Sequence, residues 1–297
     1  MRHIIPISGK DSLATALVQL KLEPDLNYEY VFNPTGAELP CVFEWLNKVE
    51  KYLGKPIVNV GRDLLELIED NNFFLPSRLA RYCTRQCKIE PFEKWIGVND
   101  CIVYYGIRAD EVRGGYENSR YPNIVPAYPL KENNLGINEV YQIINKVGLK
   151  PPTFFWQDIY DKVCKICRGE EVVKGILTEW QIDFLFCWRT RANCYFCFNQ
   201  RKYEWVGLLE HEPELFWNSS KLENSESEYY WNGKDYPLTK IVENAEKIKT
   251  KHIKKLVKLI RQIRDSKWKQ ESLFNFETEE GFTDFFKTTS CGLFCGK

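Results

Sequence analysis

The sequence predicts an α/β protein: a mostly parallel, doubly wound sheet with a cysteine-rich region and a helical C-terminal extension. Three observations carry that prediction. Short β-branched or aromatic runs at residues 3–7, 28–32, 56–60 and 101–105 alternate with stretches whose apolar residues recur at helical spacing. The joins that follow the strands hold Ser, Gly, Pro and Asn, so each strand exits into a tight turn. With 297 residues, 44% hydrophobic and 28% charged, the chain is long and apolar enough to bury a sizeable core.

Taken in order, residues 3–7 read as a buried strand and Ser8-Gly9-Lys10-Asp11-Ser12 as a turn. Leu13, Ala14, Ala16, Leu17 and Leu20 then mark the apolar face of the first helix. The turn therefore sits at a helix N-terminus. Unpaired backbone N–H groups, the positive end of the helix dipole and Lys10 together suit an anion such as a nucleotide phosphate. This is not the G-x-x-x-x-G-K-S/T pattern, because no Gly stands six residues before Lys10. Residues 28–32 form a second strand, followed by Asn33-Pro34-Thr35-Gly36-Ala37-Glu38 and a helix over 41–53. A third strand at 56–60 leads to a short helix at 63–69. The fourth strand, 101–105, exits through Gly106-Ile107-Arg108-Ala109-Asp110-Glu111-Val112-Arg113. In parallel sheets ligands bind beyond the carboxyl ends of the strands, where these three turns gather.

Residues 123–130 read as a further strand and 136–147 as a helix with Ile137, Val140, Ile143, Ile144 and Val147 on one face. The stretch 150–186 reads as irregular, and 204–216 as a helix. The polar run 219–228 marks a boundary, which gives a nucleotide-binding domain over 1–218 and a helical extension over 219–297. A long helix is expected over 241–268. Ile253, Leu256, Val257, Ile260 and Ile263 lie on one side of it, with Lys249, Lys251, Lys254, Lys255, Lys258, Arg261, Arg264, Lys267 and Lys269 on the other. That basic side is either a solvated face or a contact for polynucleotide phosphates.

Formal net charge is zero, so no whole-molecule attraction to nucleic acid is implied. No apolar run approaches the ~20 residues that cross a bilayer, and residues 1–3 lead straight into a strand rather than a signal peptide. The expectation is a cytoplasmic protein with no membrane partner. Eleven cysteines in such a chain point to metal, cluster or thiol chemistry rather than a disulfide scaffold. Cys164/Cys167 and Cys194/Cys197 are two C-x-x-C pairs, a spacing that lets both sulfurs reach one metal centre, so a structural Zn²⁺ on these four is one reading.

Residues 8–12 resemble the PP-loop, S-G-G-x-D-S, of the adenine-nucleotide α-hydrolases, with Ile7 and Ser8 standing where the pattern has Ser and its first Gly. Four further segments are similar to motifs of the PAPS-reductase family within that superfamily, and in the same order. Asn33, Thr35, Gly36 and Glu38 match N-x-T-G-x-E. Cys83, Thr84, Lys88 and Pro91 match C-T-x-x-x-K-x-x-P. Gly106, Arg108 and Glu111 resemble the start of G-x-R-x-x-E-x-x-R, with Arg113 one place before the pattern's last Arg. Cys194 and Cys197 follow the cysteines of G-C-x-x-C-P-F-Q-x-R, with Asn193 and Phe198 in place of Gly and Pro. The terminal Cys291-Gly292-Leu293 is similar to the core of the family's E-C-G-x-H tail.

The resemblance implies a Rossmann-like PP-loop fold that binds ATP, or the sulfonucleotides PAPS or APS, on Ser8, Gly9, Lys10, Asp11, Ser12, Asn33, Thr35, Gly36, Glu38, Gly106 and Arg108. Asp11 would hold Mg²⁺ or position the loop. Lys10, Asp11, Arg108, Arg113 and Cys291 are the implied catalytic residues. Cys83, Cys194 and Cys197, with Cys187 preferred to Cys87 as the fourth ligand, are the implied holders of a [4Fe-4S] cluster, with Zn²⁺ as the alternative. Three activities follow. The first is cleavage of ATP to AMP and pyrophosphate in support of sulfur transfer, as in thiolation or DNA phosphorothioation. The second is reduction of a sulfonucleotide to sulfite with Cys291 as nucleophile and Cys295 resolving the product. The third is a non-catalytic nucleotide- or nucleic-acid-binding module. Implied partners are an adenine nucleotide, DNA or tRNA as sulfur acceptor, a cysteine desulfurase or thiol reductant, and a second copy of the chain as a homo-oligomer.

Overall fold

The computed structural model describes residues 1–112, 114–116, 121–192, 194–223 and 228–265. Arg113, Asn193, Lys267, Lys269, Cys291 and Cys295 lie outside the described residues. Five strands, β1 (Arg2–Pro6), β2 (Tyr28–Phe32), β3 (Ile57–Asn59), β4 (Cys101–Tyr104) and β5 (Ile124–Ala127), form one sheet in the order β3-β2-β1-β4-β5. Every pairing is parallel. Ile4 in the central β1 stands opposite Glu29 on one side and Val103 on the other, and both Ile4 and Ile5 are fully buried. Residues of opposite facing are thus both covered, which is why this strand reads as a continuous apolar run rather than an alternating one.

Helices α1 (Lys10–Leu22), α2 (Pro40–Leu53) and α3 (Leu64–Asp70) follow the first three strands. A composite helix follows α3: α4 (Tyr82–Thr84), a π-helical turn at Arg85–Ile89 and α5 (Glu90–Ile96). After β5 come α6 (Pro129–Glu132) and α7 (Ile137–Lys146). From β1 the chain winds outward to β2 and β3, then returns to the other side of β1 for β4 and β5. The strand order therefore reverses between β1 and β4, and the crevice beyond their carboxyl ends is the topological switch point at which open α/β sheets bind ligands.

Several elements differ from the sequence reading. The stretch 150–186 is not irregular but holds α8 (Gln157–Ile166), α9 (Glu170–Ile176) and α10 (Glu179–Leu185), whose short apolar faces find partners only within a helical unit. The helix expected at 204–216 is two, α11 (Lys202–His211) and α12 (Pro213–Lys221), because Pro213 opens a new helix at its first position. The long basic helix is also two, α13 (Leu238–Glu243) and α14 (Ala245–Asp265), separated at Asn244, which closes the first helix by donating to the Lys240 carbonyl. Lys249 does not belong to the exposed face: it is buried, with its ammonium 2.6 Å from both Glu210 and Glu246. The strand expected at 123–130 stops at Ala127, since Pro129 starts α6.

Two compact units divide the described residues. The first takes Met1–Pro152 and Arg191–Phe198, and contains the sheet. The second takes Thr153–Thr190 and what is described of 199–289, and is helical, with α14 packed on α8 and α11. These units are a different partition from the division at 218/219 expected from the polar run. Among the described residues, no helix is long and apolar enough to cross a membrane.

Candidate functional site: the crevice at the ends of β1 and β4

Beyond β1, the Ser8–Ser12 turn is closed by a side chain of its own. The Ser12 hydroxyl accepts from the Ser8 and Gly9 amides at 2.8 and 3.0 Å and donates to the Gly9 carbonyl at 2.9 Å. The cradle is thus held open by a hydroxyl where the PP-loop pattern has its second Ser. The amides left facing outward from a helix start are those of its first turn, which begins at Lys10.

Asp11 is the buried centre of this turn, at 3% exposure. Its Oδ2 meets the Lys10 ammonium at 3.3 Å, and its Oδ1 accepts from the Arg108 guanidinium at 3.0 Å. Burial by itself raises the carboxyl, but the Lys10 and Arg108 charges outweigh it and hold Asp11 below the usual carboxylate range. Arg108 also donates to Asp110 at 2.8 Å and lies 3.2 Å from Glu111. Burial works against its charge, yet the three carboxylates keep it firmly protonated. Both oxygens of Asp11 are therefore engaged by cations. Asp110 extends the network by accepting from the Ile137 amide at the start of α7, at 3.1 Å.

Gly106 is what allows β4 to deliver Arg108 here. A Cβ at that position would stand 2.8 Å from the Asp11 carbonyl carbon and the Ser12 nitrogen, so only glycine lets the two strand exits touch.

The loop after β2 forms a second wall. Glu38, buried, accepts from the Thr35 amide at 3.0 Å and from the Thr35 hydroxyl at 2.7 Å. Gly36 has φ +75° and faces Asp63, whose carboxylate accepts from the Leu65 and Glu66 amides and caps α3. Asn33 donates to the Val60 carbonyl at 2.6 Å, tying the ends of β2 and β3. The side chains of Asn33, Thr35 and Glu38 are thus spent on shaping the loop.

Cys194 is brought to this wall. Its sulfur is 3.1 Å from the Thr35 hydroxyl, and the next amide, Tyr195, donates to the Ala37 carbonyl at 2.7 Å. The Cys197 amide turns back to the Cys194 carbonyl at 3.0 Å, as a C-x-x-C turn requires. Burial pushes the Cys194 thiol up to about 12, with Lys88 pulling the other way and Cys83 adding to the rise. Burial likewise takes Cys87 up to about 12, with Cys83 and Cys194 contributing. Cys83, Cys87 and Cys194 are therefore within electrostatic reach of one another and of Lys88. Cys87 belongs to the π-helical turn, an arrangement frequent at functional sites, and its carbonyl accepts from the Arg62 amide at 3.0 Å.

Thiols are the donor type that an iron–sulfur cluster takes. Among the described residues, however, no three His, Cys, Asp or Glu side chains are grouped so as to hold a metal ion. Cys187, Cys164 and Cys167 belong to the second compact unit. The Cys187 thiol donates to the Phe184 carbonyl at 3.0 Å, and burial raises it strongly. Cys164 and Cys167 close α8, both buried.

Sequence reasoning missed Ser12 as the clasp of the turn, Asp110 as the bridge from Arg108 to α7, and Asp63 opposite Gly36. The Asp63-Leu64-Leu65-Glu66 capping pattern was a legible signal; the other two were not, because both act across long sequence gaps or through a hydroxyl with many local options.

No family model matches the chain. Over 108 residues, 35% of its length, the chain is 34% identical to an uncharacterized protein of Methanocaldococcus jannaschii, and the match spans 22% of that relative. Among solved structures, it is similar to the phosphate complex of a phosphoadenylyl-sulfate (PAPS) reductase from Candida auris, at a TM-score of 0.38 and 18% identity, covering 50% of this chain and 73% of that one. The α/β class of the present chain rests on its own strand order.

Proposed function

We propose that this chain is an adenine-nucleotide enzyme of PP-loop type, which cleaves ATP to AMP and pyrophosphate in support of sulfur transfer to a nucleic acid. The observation that supports this reading best is the meeting of the Ser8–Ser12 turn with Gly106 and Arg108 at the strand-order reversal, with Asp11 as their common partner. Lys10 and the first amides of α1 neutralise phosphate oxygens, and Mg²⁺ arrives on the nucleotide with several of its waters. Asp11 and Arg108 hold the turn rigid and so keep those donors aimed, and Arg113 adds a second guanidinium for the leaving pyrophosphate. An acceptor oxygen attacks the α-phosphorus as pyrophosphate leaves, and hydrosulfide supplied by a sulfur-donor partner then bonds to the activated carbon or phosphorus as AMP departs with that oxygen. Cys83, Cys194 and Cys197 are the residues that would hold a [4Fe-4S] cluster, which when bound supplies electrostatic tuning or sulfur.

Reduction of a sulfonucleotide to sulfite is a second reading, favoured by the terminal Cys291-Gly292-Leu293. Labelled ATP incubated with and without DNA or tRNA separates the two. Pyrophosphate release stimulated by nucleic acid is the expected result. Sulfite from PAPS or APS, lost in Cys291→Ser with nucleotide affinity kept, would establish the reductase instead. Binding of ATP with neither product would leave only a nucleotide-binding module and end both enzymatic readings.

A further inference from the structure

Helix α3 ends in a Schellman turn: the Asn72 amide donates to the Glu69 carbonyl and the Phe73 amide to the Ile68 carbonyl, both at 2.9 Å. Asn72, with φ +52°, is a residue type that such a left-handed position accepts. Phe73, with φ +59°, is not, and its aromatic side chain carries a strain there that glycine would not. Burial does not offset that strain, since Phe73 is 45% exposed. The loop that follows is short and tied. The Tyr82 hydroxyl donates to the Phe74 carbonyl, and the two rings stack with centroids 6.0 Å apart and planes 25° apart. Leu75 and Pro76 are buried. A second turn, in which the Ser77 amide donates to the Ala80 carbonyl and the Ala80 amide to the Ser77 hydroxyl, each at 3.1 Å, carries Arg78 and Leu79 at its tip. Both are exposed, Leu79 completely.

Charge favours an anionic occupant for this surface. From Asn71 to Ile89 the chain has four cations, Arg78, Arg81, Arg85 and Lys88, and no Asp or Glu. Among the described residues, Arg85 pairs with Glu90 and Arg62 with Asp70, but no carboxylate pairs with Arg78. An exposed ring held against its backbone preference, a stacked ring pair and an unneutralised guanidinium are what an unpaired nucleotide strand needs: faces for its bases and a charge for its phosphates. We propose that residues 73–82 are a docking surface for a single-stranded stretch of the nucleic-acid acceptor, with bases on Phe73 and on the Phe74–Tyr82 pair, phosphate on Arg78, and Leu79 wedged between bases. This assignment rests on the acceptor reading above and adds the feature that the acceptor must offer, an unpaired segment. The placement suits it, because the loop runs directly into Cys83, and α3 begins by donating the Leu64 amide to the Thr35 carbonyl of the candidate site's wall at 2.8 Å.

The test is binding of fluorescent oligodeoxythymidine and oligouridine to the full chain, followed by anisotropy, beside calorimetry with ATP. Phe73→Gly separates a structural role from a binding one: relief of the left-handed strain is expected to raise the urea midpoint, while loss of the ring weakens oligonucleotide binding about tenfold. Arg78→Gln is expected to lower the slope of log affinity against log salt by about 0.7. Val98→Ala, at an exposed apolar position outside this loop, is expected to leave affinity within about twofold of the parent. A parent that binds neither oligonucleotide would overturn the proposal, as would a Phe73→Gly chain that binds both as tightly as the parent. So would binding of phosphatidylglycerol vesicles alone. Oligonucleotide bound through this loop by a chain that takes up no ATP would uphold the surface and end the proposed nucleotide chemistry, whereas ATP binding and pyrophosphate release with no oligonucleotide bound would do the reverse.

Discussion

The two compact units bury charge and sulfur to different ends. In the first, buried polar groups converge on loops at strand ends: Asp11 with Lys10 and Arg108, and Thr35 with Glu38 and Cys194. In the second they brace helix against helix. Lys249 of α14 meets Glu210 of α11, Glu210 also accepts from the Trp156 indole at 3.1 Å, and His252 stacks on Tyr203 with ring centroids 4.0 Å apart. The two C-x-x-C pairs show the same contrast, one forming a turn beside the Thr35 wall and the other ending a helix. Equal spacing thus serves different ends according to the backbone that carries it.

The largest expected difference is between removing Asp11 and removing Lys249. Asp11→Ala leaves Arg108 and its neighbours without their buried partner, and should cost about 3–5 kcal/mol in urea unfolding while lowering pyrophosphate release by about 100-fold or more. Lys249→Met, whose acidic partners remain partly in water, should cost about 1 kcal/mol and leave release within about twofold of the parent. Equal losses of activity in the two variants would erase the distinction between the units.

Glycine substitutions sharpen it further. Gly106→Ala forces apart the exits of β1 and β4 and should destabilise by about 1–3 kcal/mol with a weaker nucleotide affinity, measured by calorimetry. Gly175→Ala in α9, where a Cβ meets nothing within 4 Å, should stabilise the helix by about 0.5–1 kcal/mol.

Acid should separate the units as well. Burial, with Arg201 and Lys255 adding to it, lowers His252 from 6.5 to about 3. The unfolded chain therefore takes up a proton below pH 6.5 that the folded unit refuses. The stability this supplies is complete above 6.5 and falls by about 2 kcal/mol on reaching pH 5. Asp11 also has a lowered value, so its contribution persists down to the ordinary carboxylate range near 3.8 and fades only below it. Hydrogen exchange, corrected for intrinsic rates, should show α14 losing protection between pH 6 and 4 while β1 and α1 keep theirs. His252→Phe should flatten that slope, and parallel loss in both units would contradict it.

The smallest effect distinguishes the cysteines. Cys194→Ala should weaken ATP binding by about fivefold through the Thr35 wall, and Cys164→Ala should leave it unchanged while costing about 1 kcal/mol of packing. A strong absorbance near about 400 nm in anaerobically purified protein, lost in Cys194→Ala and kept in Cys164→Ala, would extend the contrast to cluster chemistry.

Local signals were enough for the sheet. Residues 3–7, 28–32 and 101–105 are apolar runs bounded by turn residues, and the order of strands and helices follows from them because such patterns bury only one way in an α/β layer. The positions of Ser8–Ser12, Asn33–Glu38 and Gly106–Arg108 at strand exits were legible for the same reason. What the tertiary structure alone decided is which groups face one another. Arg108 meets Asp11 across 97 residues and Cys194 meets Thr35 across 159, and no periodicity encodes a contact made by loops. Lys249 likewise looked like one more surface lysine until α11 supplied Glu210, since a charge is buried only where a distant chain segment brings its partner.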